Sequence, residues 1–128
     1  PQGPRGRILI ADDEPALLRA LARLLGTSGY DVKAVDDGAR ALEALDHEDF
    51  DVIVSDISMP DMDGLELVAR LRARNVALPA ILITADRSPA VRDAARENDI
   101  QVLNKPLKPA ALRALMAQWR VQRIAAAE

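Results

Sequence analysis

Residues 51–64 read DVIVSDISMPDMDG. The β-branched run Val52-Ile53-Val54 shows little alternation with polar residues, which is typical of a strand buried on both faces in a parallel sheet. Pro60 and Gly64 bracket a turn that ends any strand. The pattern therefore predicts a strand over residues 50–55, with Asp56 at its carboxyl end. In α/β folds this is the edge of the sheet where ligands bind.

The rest of the chain repeats the same alternation of short aliphatic runs and amphipathic segments. Helix starts are indicated at Pro15, Gly38, Leu65, Pro89 and Pro109, and proline in particular suits the first helical position. The helices are expected to end near residues 26–29, 47, 75 and 98, and the last one continues past residue 119. Further strands are predicted over residues 7–11, 30–35, 80–83 and 100–103, and the polar content of 30–35 favours an edge position. Five strands alternating with five helices predict an α/β fold whose parallel sheet is covered on both faces.

Length and composition favour a single globular domain. The chain has 128 residues, 49% of them hydrophobic and 29% charged, which suffices for a real core. We expect a linker over residues 1–6, a domain over 7–120 and a helix end or tail over 121–128, within a longer parent protein. The net charge of -3 and three aromatic residues argue against direct binding to nucleic acid. Without cysteine and with one histidine, neither thiolate chemistry nor a multi-histidine metal site is available.

Polar residues follow four of the predicted strands. Asp12 and Asp13 follow the first, Asp56 the third, Thr84 the fourth and Lys105 the fifth. Because parallel strands share a carboxyl edge, these groups are expected to converge. Three neighbouring carboxylates repel one another and favour a hard divalent cation, and Mg²⁺ suits oxygen ligands of this kind. The combination predicts a phosphoryl-transfer site with a carboxylate nucleophile, a metal, a hydroxyl and an ammonium.

The order and spacing of these motifs resemble the receiver domain of two-component response regulators. The resemblance rests on Asp12-Asp13, Asp56 with Met59-Pro60 and Asp63-Gly64, Thr84-Ala85 and Lys105-Pro106, and it covers residues 7 to about 118. It implies the doubly wound, flavodoxin-like fold with strand order 2-1-3-4-5.

The resemblance also implies a role for each site residue. Asp56 would accept phosphate from a histidine kinase or a phosphotransfer protein. Asp12, Asp13 and Asp56, with the backbone carbonyl of Ser58, would hold Mg²⁺, Asp12 acting through water. Thr84 and Lys105 would contact the phosphoryl oxygens, and a cis peptide bond would precede Pro106. Such a receiver is expected in the cytoplasm, without membrane contact of its own and without catalysing turnover of a separate substrate.

Two departures from the family pattern affect the surface through which receivers signal. Val102 stands where the family commonly has tyrosine or phenylalanine, so no ring is available to swing inward. Asn98-Asp99 replaces the usual Gly-Ala at the end of the fourth helix, although asparagine at 98 can still adopt the left-handed cap conformation. An altered output face is therefore expected. Homodimerisation is expected through the fourth helix, fifth strand and fifth helix, or through the first and fifth helices.

Several local interpretations compete with these assignments. Asp12 and Asp13 also suit a cap of the first helix, and Asp61 and Asp63 suit caps of the third helix better than metal ligands. His47 is expected at the surface. Trp119 is expected in the core with an exposed face for a partner.

Two other functions compete with the receiver. A pseudo-receiver would dock partners without phosphate, which Val102 leaves open. A phosphatase acting through an aspartyl phosphate is disfavoured, because that chemistry needs a second aspartate at the position of Ser58.

Overall fold

The computed structural model of the protein describes residues 6–74 and 78–127, with side chains up to residue 122. Strands and helices alternate along this part of the chain. The strands are β1 (Arg7–Ala11), β2 (Asp31–Val35), β3 (Val52–Asp56), β4 (Ala80–Thr84) and β5 (Gln101–Asn104). The helices are α1 (Pro15–Thr27), α2 (Gly38–His47), α3 (Gly64–Arg74), α4 (Pro89–Glu97) and α5 (Pro109–Ala127).

The strands form a parallel sheet in the order β2-β1-β3-β4-β5, as expected, with β2 at one edge. Its register aligns the strand ends. Ala11 pairs with Ser55, Asp56 with Ile83 and Thr84 with Asn104. Residues that follow β1 therefore lie beside the last residues of β3 and β4.

Alternate residues of each central strand serve two separate cores, because successive side chains in a strand point to opposite faces. The core that contains Leu9, Ile53 and Leu82 packs under α2, α3 and α4. The core that contains Ile8, Val54 and Ile83 packs under α1 and α5. Covering both faces explains why β3 and β4 are buried throughout. None of the helices in the described residues is long and apolar enough to cross a membrane.

The helix starts follow their sequence signals. Pro15 and Pro89 open α1 and α4, and the Ser88 hydroxyl accepts a hydrogen bond from the Val91 amide at 3.4 Å. The end of α4 lies close to the predicted position, with Asn98 as its C-cap at φ -103°, but it is Asp99 that takes the left-handed conformation, at φ 54°. Aspartate also tolerates this region, because its short polar side chain forms local hydrogen bonds.

Some predicted boundaries shift by one or two residues. Asp56 is the last residue of β3 rather than the first after it, and β5 covers Gln101–Asn104 rather than 100–103. The expected end of α3 at Asn75 lies outside the described residues. α5 continues through Ala127, so residues 121–127 are helical.

Arg7 connects several segments at the amino-terminal ends of the strands. Its Nε lies 2.7 Å from Asp31 Oδ2 and its Nη2 lies 2.8 Å from Glu48 Oε1. The guanidinium carbon also sits 4.9 Å from the centre of the Phe50 ring. One side chain thereby links β1 to β2, to the end of α2 and to the segment before β3.

Substitution of Gly64 tests how tightly the loop after β3 is packed. A Cβ there would lie 2.8 Å from the Asp56 carbonyl oxygen and from Leu82 Cδ2. Gly64→Ala is expected to lower the free energy of unfolding by about 1–3 kcal/mol, because the backbone atoms it meets cannot move aside easily. The measurement is the urea unfolding midpoint. Gly26→Ala is the matched control, since nothing lies within 4 Å of a Cβ there, and a gain of about 0.5–1 kcal/mol is expected. Equal effects of the two substitutions would contradict this account.

Candidate functional site

The carboxyl edge of the sheet brings together the residues that the sequence predicted. One carboxylate oxygen from each of Asp12, Asp13 and Asp56 lies within 4.8 Å of the others. Lys105 Nζ lies 3.1 Å from Asp56 Oδ2. Thr84 ends β4 beside them and is buried. The predicted convergence of the three acidic groups and the ammonium is therefore present in the structure, and the Thr84 hydroxyl belongs to a residue at the same edge of the sheet.

Asp56 is a buried carboxylate with both oxygens engaged. The side chain is 5% exposed. Oδ1 accepts a hydrogen bond from the Ser58 amide at 3.0 Å, and Oδ2 accepts one from Lys105 Nζ at 3.1 Å. The amide fixes the orientation of the carboxylate, and the ammonium balances its charge.

Asp12 is fully buried and carries an unsatisfied oxygen. Its Oδ1 accepts a hydrogen bond from the Glu14 amide at 2.9 Å, while Oδ2 has no hydrogen-bond partner among the described residues. Burial, together with the nearby charge of Asp56, raises the pKa of Asp12 to about 6, although the Glu14 amide and Lys105 oppose the rise. A buried, unpartnered carboxylate oxygen beside two other carboxylates is a position where a cation would relieve the repulsion.

This donor set fits Mg²⁺. The ion prefers oxygen ligands and usually takes one or two carboxylates together with water. Asp13 is exposed, so one side of the cluster is open to solvent. Asp12, Asp13 and Asp56 would hold the ion. The expected contribution of the Ser58 carbonyl stays a prediction, because the contact recorded for Ser58 in this cluster is its amide on Asp56.

Two backbone amides donate hydrogen bonds to Thr84. Its hydroxyl oxygen accepts a hydrogen bond from the Asp86 amide at 2.9 Å, and its carbonyl accepts one from the Lys105 amide at 2.8 Å. Asp86 in turn accepts from the Ser88 amide at 2.8 Å, which connects this loop to the start of α4. The hydroxyl therefore sits at the strand end in a fixed backbone frame, beside the acidic cluster.

Lys105 lies between two carboxylates. Besides Asp56, its Nζ is 3.8 Å from Glu14 Oε2. Partial burial lowers the pKa of Lys105, but the hydrogen bond to Asp56 and the charges of Asp56, Asp12 and Glu14 outweigh it, so the pKa is raised overall and the ammonium stays protonated. The Lys105–Pro106 peptide bond is cis, as predicted. Glu14, which precedes Pro15 at the start of α1, is not among the site residues that the sequence predicts.

The two capping predictions for the loop after Asp56 have different outcomes. Asp63 Oδ1 accepts a hydrogen bond from the Glu66 amide at 2.7 Å and caps α3, as predicted. The prediction for Asp61 was wrong, because its carboxylate accepts from Gly38 at 3.0 Å and Ala39 at 2.9 Å, at the start of α2. The Gly38 amide lowers the pKa of Asp61 accordingly. Local sequence holds no signal for a contact between residues 23 positions apart.

The remaining candidates lie outside the cluster. His47 is exposed at the end of α2, as expected. Trp119 is half-buried and packs 6.5 Å from the Tyr30 ring centre. Trp119 also lines a cavity of about 310 Å³ at the opposite, amino-terminal ends of β3, β4 and β5, which contains none of the strand-end groups. Val102 is half-buried and lines a cavity of about 230 Å³ between α4 and β5.

Comparisons with known proteins point in one direction. A family model described as the response regulator receiver domain matches residues 8–117. The transcriptional regulatory protein TcrA of Mycobacterium tuberculosis is 43% identical over 79 residues, which are 62% of this chain and 31% of TcrA. The sensor histidine kinase RcsC of Salmonella typhi is 35% identical over 113 residues, which are 88% of this chain and 12% of RcsC. The chain thus spans less than a third of the length of either relative.

The fold is shared with a solved structure. A CheY-like response regulator receiver domain protein from Methanospirillum hungatei JF-1 superposes with a TM-score of 0.87 at 25% identity, over 93% of this chain and 96% of that one.

Replacing Asp12 by asparagine tests how much the buried charge of this carboxylate destabilises the protein. The folded-state pKa of Asp12 lies near 6, above its ordinary value, so the folded protein keeps the proton of this carboxyl to a higher pH than the unfolded chain does. Ionisation of Asp12 therefore lowers the free energy of unfolding as the pH rises from about 4 to about 6. In metal-free buffer at pH 7, Asp12→Asn is expected to raise the free energy of unfolding by about 1–3 kcal/mol. The gain should fade below about pH 4, where the carboxyl is protonated in both states.

Urea unfolding at a series of pH values measures the effect of Asp12→Asn. Asp93→Asn, at an exposed carboxylate of α4, is the control and should change little. A gain from Asp12→Asn that does not depend on pH would contradict the electrostatic explanation.

Proposed function

Because the chain belongs to the response regulator receiver domain family of two-component signalling, we propose that it accepts a phosphoryl group on Asp56. The donor would be a histidine kinase or a phosphotransfer protein. The observation that carries the proposal is the Asp56 carboxylate, buried at the strand end and bound to Lys105 within an acidic cluster. A surface carboxylate without this environment would lack both the charge balance and the fixed orientation.

The proposed reaction needs only a nucleophilic oxygen and charge stabilisation. A carboxylate oxygen of Asp56 forms a bond to the phosphorus of the donor, while the bond between phosphorus and the leaving group breaks. The electron pair of that bond departs with the leaving group, which is acetate for acetyl phosphate, or the imidazole of a phosphohistidine, which takes up a proton. The product is an aspartyl phosphate.

Lys105 and Thr84 have separate roles in this proposal. Lys105 Nζ lies 3.1 Å from Asp56 Oδ2 and would exchange this ion pair for one with a phosphoryl oxygen. The Thr84 hydroxyl, which accepts from the Asp86 amide, keeps its own proton free to donate to another phosphoryl oxygen. Mg²⁺ bound by Asp12, Asp13 and Asp56 would supply neutralisation of the charge that builds up on these oxygens.

The same family membership suggests partners and a place in a larger protein. Receiver domains of two-component systems interact with histidine kinases, and the match to a sensor histidine kinase over 88% of the chain supports a receiver module of a hybrid kinase. A separate regulator is the alternative, supported by the match to TcrA. In either arrangement we propose a cytoplasmic module that switches a partner and turns over no separate substrate. Homodimerisation through α4, β5 and α5, or through α1 and α5, belongs to the same proposal.

A second candidate function follows from Val102. Its side chain lines the cavity between α4 and β5 and has no ring to report the state of Thr84, so coupling to this face would differ from the common aromatic switch. A pseudo-receiver that docks partners without phosphate would tolerate such a change. The phosphatase alternative is weaker, since Ser58 offers a hydroxyl where that mechanism needs a carboxyl acid.

Incubation with acetyl phosphate and Mg²⁺ tests phosphoryl transfer. Intact-mass measurement is expected to show one phosphoryl group, stable in acid and labile in base. Asp56→Ala should abolish the adduct, because the nucleophile is lost, while Asp93→Asn should leave it unchanged. Failure of the wild-type chain to form the adduct would favour the pseudo-receiver. An adduct that persists in Asp56→Ala would overturn the assignment of Asp56.

Addition of Mg²⁺ tests the proposed metal ligands. At concentrations a hundredfold above the dissociation constant, Mg²⁺ is expected to stabilise the wild-type chain by about 2.7 kcal/mol, because only the folded state presents the cluster. Asp13→Asn should weaken this stabilisation, and a chelator should reverse it. Thermal unfolding with and without Mg²⁺ provides the measurement, with Asp93→Asn as the control. Equal stabilisation of Asp13→Asn and the wild type would speak against a site at Asp13.

A further inference from the structure

The Glu14 side chain does not cap the helix that follows it. Glu14 occupies the N-cap position of α1, yet its side chain makes no capping hydrogen bond. Serine, threonine, asparagine and aspartate are the residues that cap well at this position. The backbone of Glu14 fulfils a structural task through the 2.9 Å hydrogen bond from its amide to Asp12 Oδ1, but any residue other than proline would provide that amide. The carboxylate is therefore free for another role.

The Glu14 carboxylate instead reaches the ammonium of the site. Its Oε2 lies 3.8 Å from Lys105 Nζ, and the Glu14 side chain is 58% exposed. Among the described residues, Lys105 is the cation paired with this acidic edge, with Asp56 at 3.1 Å on one side and Glu14 on the other. Two carboxylates thus compete for one ammonium.

This competition bears on phosphoryl transfer. The ammonium must turn from Asp56 Oδ2 toward the phosphoryl oxygens as they arrive, and any attraction to Glu14 opposes that movement. An interaction made before the transfer and weakened during it raises the barrier. An exposed ion pair contributes about 0.2–1 kcal/mol, which corresponds to a rate effect of up to about 5-fold.

We propose that Glu14 is a positioning residue that restrains Lys105 and thereby slows phosphoryl transfer to Asp56. The inference rests on the proposed function, since it concerns the rate of that same reaction. Glu14 acts through Lys105 and is not itself placed in contact with the reacting atoms.

Two substitutions separate the contact with Lys105 from charge alone. Glu14→Ala removes both. Glu14→Asp keeps the negative charge but shortens the side chain by one methylene, and aspartate at an N-cap position turns toward the amides of its own helix. Restraint of Lys105 is lost in both variants, whereas simple repulsion of an anionic donor is lost only in Glu14→Ala.

The experiment measures the rate of adduct formation with acetyl phosphate and saturating Mg²⁺, over a range of donor concentrations. Both Glu14→Ala and Glu14→Asp are expected to raise the rate at saturating donor by about 2- to 5-fold. Glu66→Gln, at an exposed carboxylate of α3 paired with Arg70 at 3.1 Å, is the control and should leave the rate unchanged. Urea unfolding of each variant verifies that all are folded to the same extent.

The remaining outcomes each overturn the inference. An unchanged or lower rate in both variants would mean that Glu14 does not restrain Lys105. A rise in Glu14→Ala alone would indicate repulsion of the donor, and a rise in Glu14→Asp alone would contradict the restraint, since alanine also frees the lysine. A wild-type chain that forms no adduct would instead refute the proposed function, which is a separate result.

Discussion

Negative charge buried at the carboxyl edge of the sheet is the constraint on which this structure depends. Asp12 and Asp56 are removed from water, and in the described part of the chain Lys105 forms an ion pair with Asp56 but none with Asp12. Folding places them there because β1, β3 and β4 are anchored on both faces by aliphatic side chains, so the strand ends have no freedom to separate. The cores thus hold the carboxylates together against their repulsion, and the unpartnered Asp12 Oδ2 shows that the protein alone does not satisfy them.

The strands and the site residues were predictable from the sequence where the signal was local or periodic. The run Val52–Val54 predicted a strand buried on both faces, and parallel topology then predicted that Asp12, Asp56, Thr84 and Lys105 would meet. Contacts that depend on packing between distant segments were not predictable from the sequence. Asp61 caps α2 rather than α3 because the loop after β3 passes the start of α2. Asp99 rather than Asn98 takes the left-handed conformation, a choice between adjacent residues of similar propensity. Glu14 meets Lys105 across 91 positions of sequence, counted from the residue numbers. No pattern within α1 encodes that distance.

The site and the surface that would report its state are built differently. At the site, hydrogen bonds shorter than about 3.1 Å hold Asp56, Thr84 and their neighbours. Between α4 and β5, Val102 lines a cavity of about 230 Å³. The site residues expected from the resemblance are present at the edge of the sheet, whereas Val102 departs from the aromatic residue expected at its position. The cavity is also adjoined by Asp86, whose amide binds the Thr84 hydroxyl, so the two regions share a backbone segment.

The contact between the loop after β3 and α2 also constrains how the sequence can evolve. Asp61 needs the free amides of Gly38 and Ala39, and the Met62 side chain occupies the space that a Cβ at Gly38 would need. A larger residue at 38 would have to be accompanied by a smaller one at 62, and a proline at 38 or 39 would leave Asp61 without one of its donors. Positions 38, 61 and 62 therefore depend on one another structurally, although α2 and this loop are distant in the chain.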